Sequence, residues 1–256
     1  MAAASLVSSL QRAADLFRAA RRPAALTGAG ISTPSGIPDF RSSGTGLWEK
    51  YDPMQVASLM SFRYDPEAFF AWIRPMAEHI VQAEPNSAHR ALARMEAAGK
   101  MTGVVTQNID DLHRRAGSKR VYEIHGHLRT ATCGSCYRPM ETGNLLAEFS
   151  RTGNPPRCPV CGGFLKPDVV LMGEQLPEQV IREAITLLES SDLLLVAGSS
   201  LEVTPAALLP QRALEAGARL IIVNREPTYL DVRADVVFYE DVINVLPPLA
   251  DEVLRA

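Results

Sequence analysis

Apolar residues cluster in five short runs that lack the alternation of a half-exposed strand: 23–27, 101–106, 193–198, 219–223 and 235–238. Unbroken runs of that length fit strands covered on both faces, as in a parallel sheet. Helical periodicity fills several of the gaps. Pro85-Asn86-Ser87 starts a helix that runs to Ala98 and stops at Gly99. Leu176-Pro177-Glu178 starts another, with Val180, Ile181, Ile185, Leu187 and Leu188 on its apolar side. A third covers 205–216 and stops at Gly217. Near the N-terminus, Leu6, Leu10, Ala13, Ala14 and Phe17 mark an amphipathic helix packed on the body, not a cleaved signal. Strands alternating with helices predict an α/β fold, a Rossmann-like doubly wound parallel sheet.

Two stretches interrupt that alternation. Residues 40–84 carry Trp48, Phe62, Phe69, Phe70 and Trp72 among scattered prolines and read as a small helical insert. Residues 127–166 hold all four cysteines and read as a second insert. The expected division is a nucleotide domain of 1–39, 85–126 and 167–256, with 40–84 and 127–166 forming a smaller domain beside it. A cleft between two such bodies is the usual place for a ligand.

Bulk properties narrow the partners. A net charge of −3 over 256 residues creates no field that would gather nucleic acid or an anionic membrane. No apolar run reaches the length of about 18 residues that a membrane span needs. Neither nucleic acid nor membrane is therefore expected, and a monomer in the cytoplasm is.

The first strand leads into Thr27-Gly-Ala-Gly-Ile-Ser-Thr-Pro-Ser-Gly-Ile-Pro-Asp-Phe-Arg41. Gly28 and Gly30, with Ala29 between them, let the backbone turn tightly against a pyrophosphate. Pro34, Gly36 and Pro38 break the helix that ordinarily follows. A loop carrying Asp39, Phe40 and Arg41 takes its place and could close over a nucleotide. A nicotinamide-dependent dehydrogenase would put an acidic residue about twenty positions after the glycines, on its second strand. Here the helical insert occupies that region, which argues against hydride transfer.

The cysteines are spaced Cys133-x2-Cys136, then 21 residues, then Cys158-x2-Cys161. Two Cys-x-x-Cys turns complete a tetrahedron about Zn²⁺ and leave no position for water, so such a site is structural. Two disulfides are the alternative, disfavoured without a secretory signal.

Polar residues collect where strands end. Thr106-Gln107-Asn108-Ile109-Asp110 follows the second strand and can bind a carboxamide and a ribose, or Asn108 or Asp110 can simply cap a helix over 111–116. His125 in Glu123-Ile-His-Gly126 is a candidate general base or a buried structural histidine. His79, His89 and His113 read as surface or packing residues. Gly198-Ser199-Ser200 and Asn224 can meet phosphate and ribose hydroxyls, or serve turn chemistry alone. The segments 166–174 and 201–205 could clasp a peptide as an added strand, or merely connect elements. Val170, Met172, Gly173, Glu174, Leu201 and Val203 are the candidates there.

Taken in chain order, Gly28-Ala-Gly-Ile-Ser32, Pro38-Asp-Phe-Arg41, Thr106-Gln-Asn-Ile-Asp110, His125-Gly126, the four cysteines, Gly198-Ser-Ser200 and Val223-Asn224 resemble the sirtuins, NAD-dependent protein deacylases, most of all the compact bacterial and archaeal members. The resemblance implies NAD+ as co-substrate, one structural Zn²⁺ on Cys133, Cys136, Cys158 and Cys161, and acylated lysine in a protein or peptide as substrate. It implies His125 as catalytic base. It places Ala29, Thr33, Phe40 and Arg41 in the cofactor turn and loop, and Gln107, Ile109 and Asp110 by the nicotinamide ribose, with Asp110 on the carboxamide. Asn108 would order the ribose region. Ser199, Ser200 and Asn224 would hold phosphates and the adenosine ribose, and Asp241 and Val242 would lie at the adenine. The implied products are free lysine, nicotinamide and O-acyl-ADP-ribose.

Two departures bear on the acyl group. Met172 stands where many relatives have Phe, and the Tyr-x-x-Arg pair of members favouring dicarboxylic acyl groups occurs nowhere in the chain. Simple uncharged acyl groups are expected. Mono-ADP-ribosyl transfer from the same site is the competing enzymatic reading. A zinc-ribbon adaptor is the non-enzymatic one, but the insert lacks an aromatic and basic stripe.

Overall fold

The computed structural model describes residues 2–39 and 52–255. Nine strands follow in chain order: β1 (Pro23–Thr27), β2 (Val104–Thr106), β3 (Val121–Glu123), β4 (Gly126–Cys133), β5 (Pro139–Glu141), β6 (Leu165–Val169), β7 (Leu193–Ala197), β8 (Arg219–Val223) and β9 (Val236–Phe238), counted among the described residues. Six of them form one parallel sheet in the order β3-β2-β1-β7-β8-β9, and β5-β4-β6 form a small antiparallel sheet. The large sheet is doubly wound, reversing direction beside β1.

Burial explains the apolar runs. Every residue of β1 and β7 is buried, because helices cover both faces. The long helices are α1 (Ala2–Ala19), α4 (Pro66–Gln82), α5 (Ser87–Ala97), α8 (Glu178–Ser190) and α10 (Val242–Leu254). Between them lie the short helices α2 (Pro53–Val56), α3 (Leu59–Tyr64), α6 (Leu112–Arg115), α7 (Leu145–Thr152) and α9 (Leu209–Glu215). On one face Phe17, Leu92 and Leu249 pack with Leu195 and Ile221. On the other, Leu188 and Leu209 pack with Leu26, Leu194 and Val196.

The two inserts share a core of their own. Phe62, Phe69, Phe70, Phe149 and Phe164 meet mostly edge to face, with Phe70 and Phe149 centroids 5.3 Å apart. Helix α4 therefore packs on α7 of the cysteine-bearing insert.

Several sequence expectations shift. The second run is strand only over its last three residues, and β3 has no counterpart among the five predicted runs. The helix expected over 205–216 is a 3₁₀ turn, Ala206–Leu208, followed by α9 with Pro210 near its start. The terminal helix α10 has no counterpart among the helices the sequence pattern predicts.

One close approach fixes the sheet's working edge. The turn after β1 lies directly against the turn after β7: the Gly30 N–H donates to the Gly198 carbonyl at 2.9 Å. A Cβ on Gly28 or Gly30 would come within 2.9 Å of Gly198 atoms, and one on Gly198 within 2.3 Å of the Ile31 nitrogen. Gly198 also sits at φ 63°. Gly198→Ala is therefore expected to lose at least about 2 kcal/mol of stability, from the left-handed penalty and the overlap together. Chemical denaturation checks this, and an unchanged midpoint would contradict so close an approach.

Candidate active site

Parallel strands bring their carboxyl ends to one edge, and backbone hydrogen bonds extend that order past the strands. The Gln107 N–H donates to the Thr27 carbonyl, Ile124 to Thr106, Gly198 to Val223 and Asn224 to Phe238, all at 2.9–3.0 Å. Residues 107–110, 125, 198–200 and 224, far apart in sequence, are thereby held along one rim.

His125 follows β3 and is oriented by the neighbouring strand end. Its Nδ1 lies 2.9 Å from the Gln107 carbonyl oxygen. A carbonyl only accepts, so Nδ1 carries the proton and Nε2 keeps its lone pair. Burial lowers the pKa of His125 from its ordinary value, against the opposing effect of the Gln107 bond. The ring is thus neutral near pH 7, with Nε2 as its basic nitrogen. Gly126, at φ 78°, lets β4 start at once: a Cβ there would fall 2.1 Å from the Asp168 carbonyl.

Behind the rim lies a buried polar network. The Ser32 hydroxyl donates to Asp110 Oδ2 at 2.6 Å and accepts from Asn108 Nδ2 at 3.0 Å. The Leu112 N–H donates to the other Asp110 oxygen at 2.9 Å. Burial raises the Asp110 pKa, and these donors pull it back. His89 Nε2 stands 3.4 Å from the same serine, and His113 Nε2 lies 2.9 Å from the Thr27 hydroxyl, which donates to Thr106. Both imidazoles are buried and meet at 4.9 Å. Burial lowers the pKa of both, to about 4 for His89. Sequence reasoning misses Ser32 and the two histidines as site residues, although Ser32 stands inside the Gly28–Ser32 string.

A cleft of about 620 Å³ opens between the sheet edge and the inserts. Ala29, Gln107, Asn108, Ile109, Asp110 and His125 line it. So do Val170, Met172, Gly173, Glu174 and Val203, together with the apolar Ile37, Trp72, Ile73 and Met76. The segment after β6 is tied to the histidine, because the Val170 N–H donates to the His125 carbonyl at 2.8 Å. The Glu174 carboxylate is held by Lys166 Nζ at 2.9 Å and the Leu171 N–H at 2.8 Å. Leu201 differs from its neighbours: its side chain is buried in the core under β7 and does not line the cleft.

The remaining candidates lie farther along the edge. Ser199 accepts from Gln107 Nε2 at 2.9 Å, joining the two turns. The Ser200 hydroxyl donates to Glu202 at 3.3 Å, and Asn224 Nδ2 to the Glu226 carbonyl at 2.8 Å. The Thr33 hydroxyl donates to the Gly30 carbonyl at 3.1 Å, and Asp39 is half-buried. Asp241 caps α10 and pairs with Arg225, and Val242 behind it is buried. Phe40 and Arg41 lie outside the described residues.

The four cysteine sulphurs all lie within 4.8 Å of one another, with Cys133 and Cys161 at 3.4 Å and Cys136 and Cys158 at 3.8 Å. Zinc–sulphur bonds of about 2.3 Å give tetrahedral edges of about 3.8 Å, so the donor set fits Zn²⁺. Backbone N–H groups of Cys136 and Ser135 lower the Cys133 pKa to about 6, and those of Val160 and Cys161 lower that of Cys158. Cys161 goes the other way: despite the Gly163 N–H, the neighbouring sulphurs push it up to about 12, a crowding of thiolates that a bound cation relieves.

The Sir2 family profile matches residues 28–205. The chain is 44% identical over 247 residues to NAD-dependent protein deacylase 2 of Archaeoglobus fulgidus, covering 96% of each chain. The chain belongs to the Sir2 family. A solved Sir2 enzyme superposes with a TM-score of 0.90 at 44% identity, covering 96% of this chain and 98% of the other. A second, a Sir2 complex with a p53 peptide and NAD+, superposes with a TM-score of 0.83 at 38% identity, covering 93% and 95%. The doubly wound sheet and four-cysteine ribbon are thus those of a Sir2 enzyme. Among the described residues, no helix is long and apolar enough to cross a membrane.

One zinc per chain is the expected content by elemental analysis. Cys133→Ser should lower both metal content and melting temperature, whereas a metal-free variant melting with its parent would contradict a structural metal.

Proposed function

We propose that the chain is an NAD-dependent protein-lysine deacylase, transferring the acyl group to ADP-ribose and releasing nicotinamide. The observation that carries this is the pairing of a tautomer-fixed, neutral His125 with the Asn108–Asp110 turn at the polar end of a largely apolar cleft. Membership of the Sir2 family supports it, as do the deacylase and deacetylase names of the curated relatives. Those names do not favour mono-ADP-ribosyl transfer.

NAD, when bound, supplies an anomeric carbon that becomes electrophilic as nicotinamide leaves and a ribose hydroxyl that takes up the acyl group. The chain supplies the geometry. Gly28, Ala29 and Gly30 form a tight turn whose small residues let a pyrophosphate approach the backbone closely, while the Gly28 and Gly30 N–H groups are spent on the Ala197 and Gly198 carbonyls. Ser199, Ser200, Asn224 and the Asp241–Val242 step serve the adenosine half, with Thr33, Asp39, Phe40 and Arg41 around the loop. Asp110 meets the carboxamide, and Gln107, Asn108 and Ile109 surround the adjacent ribose. Apolar Ile37, Trp72, Ile73 and Met76 keep water from the cleft. Val170, Met172, Gly173 and Val203 border the acyl-lysine, and Glu174 holds that segment in shape. Fixing the weakly nucleophilic amide oxygen beside the ribose is worth up to about 7–11 kcal/mol. His125 Nε2 then removes the proton from the ribose hydroxyl. The thiolate metal site fits the reducing cytoplasm as its place of action.

His125→Ala is expected to lower turnover by about 10²- to 10⁴-fold with the fold intact by circular dichroism. Wild-type-like turnover by that variant would remove His125 from the reaction. Because burial depresses its pKa, the base form persists into mild acid. The value of kcat/KM should fall on the acid side with a midpoint below that of an ordinary histidine, where His125 gains its proton. A profile falling from above pH 7 would contradict this assignment. In a panel of acyl-lysine peptides read by mass spectrometry, acetyl and propionyl groups should turn over and succinyl should not. O-acyl-ADP-ribose should be the product, whereas a covalent ADP-ribose adduct on the peptide would favour ADP-ribosyl transfer.

A further inference from the structure

Asp111 follows the Asn108–Asp110 turn with φ at 64°. In that left-handed region a Cβ crowds the following carbonyl, and aspartate tolerates it better than most residues. Asp111 stands at the start of α6 but makes no side-chain cap there. Its carboxylate instead meets Arg129 Nη1 on β4.

Arg129 is itself fixed. Its Nη1 donates to Glu123 Oε1 at 2.7 Å while Nη2 donates to Oε2, a two-pronged pair of planar groups. Glu123 is buried and takes a second cation, Arg114 Nε at 3.2 Å. Arg114 in turn donates to the Val121 carbonyl at 2.8 Å. Asp111, Arg129 and Glu123 thus join three segments: the turn after β2, the end of β3, and β4. Two of these carry the site. Asp110 precedes Asp111 directly, and His125 comes two residues after Glu123.

We propose that Asp111, Arg129 and Glu123 form a positioning clamp for the nicotinamide end of the cleft. The clamp holds Asp111 in its left-handed conformation. That conformation aims the Leu112 N–H at Asp110 Oδ1, while Ser32 and Asn108 fix the other oxygen. Rotation at Asp111 would withdraw the Leu112 donor and release the Asp110 carboxylate. The Asp111–Arg129 pair is about one-third exposed on each side, so its direct contribution to stability is small. Its effect belongs to the placement of Asp110 and Asn108 relative to His125. The proposal rests on the reading of this end of the cleft as the NAD site.

Two replacements separate conformation from charge. Asp111→Ala and Asp111→Gly both remove the carboxylate, but only alanine keeps the left-handed penalty. Asp111→Ala should raise KM for NAD roughly five- to thirtyfold, the equivalent of that penalty left unopposed, and should weaken nicotinamide inhibition, with a smaller change in kcat. Asp111→Gly should recover most of the loss. Arg129→Leu should resemble Asp111→Ala, and combining it with Asp111→Gly should restore NAD affinity. Equal KM values for the alanine and glycine variants would overturn the clamp, as would losses that follow melting temperature with KM unchanged. A parent protein that neither binds nor consumes NAD would overturn the reading of the site and the clamp with it. A parent that does both, with the two variants alike, overturns the clamp alone.

Discussion

The site depends on a backbone-to-backbone contact. Gly28 and Gly30 after β1 lie against Gly198 after β7, at distances where no Cβ fits. These are neighbouring central strands of the sheet, so the contact sets how closely two rim turns approach. Ser199 then reaches Gln107 across that rim, and Gln107 offers its carbonyl to His125. A cascade of hydrogen bonds therefore runs from the glycine contact to the Nδ1–H of His125, which leaves Nε2 as the base, without any flexible side chain at its root.

Electrostatics follow from the same burial. His125, His89 and His113 are all driven toward the neutral form by desolvation, while Asp110 is pushed up by it. The Asp110 carboxylate is matched by the Ser32 hydroxyl and the Leu112 amide, both neutral donors. The three imidazoles thus add no positive charge near the reacting end, which suits a step in which positive charge develops on a sugar. Arginine is used one layer out, where Arg129 and Arg114 neutralise Glu123.

Much of this is legible in the sequence, for physical reasons that can be named. The runs at β1 and β7 stand out because both faces of those strands are covered, leaving no polar position to interrupt them. The cysteine spacing reports a tetrahedron directly. The strand β3 escapes notice because it spans three residues and ends in Glu123, a charge that only its two arginines make tolerable. His89 and His113 read as surface or packing residues in the sequence. Both prove buried in a hydrogen-bonded network whose partners, Ser32 and Thr27, come from segments more than fifty positions away. Leu201 is expected at the peptide cleft, but φ 57° turns its side chain into the core. No spacing rule joins Asp111 to Arg129, since their meeting depends on how β4 leaves the sheet.

The most direct test is a crystal structure of the protein with ADP-ribose and an acyl-lysine peptide. His125 Nε2 should lie within hydrogen-bond distance of a ribose hydroxyl, with Nδ1 still donating to the Gln107 carbonyl and Asp110 facing the emptied nicotinamide position. A ribose bound elsewhere along the edge, or an imidazole turned toward bulk solvent, would contradict the account.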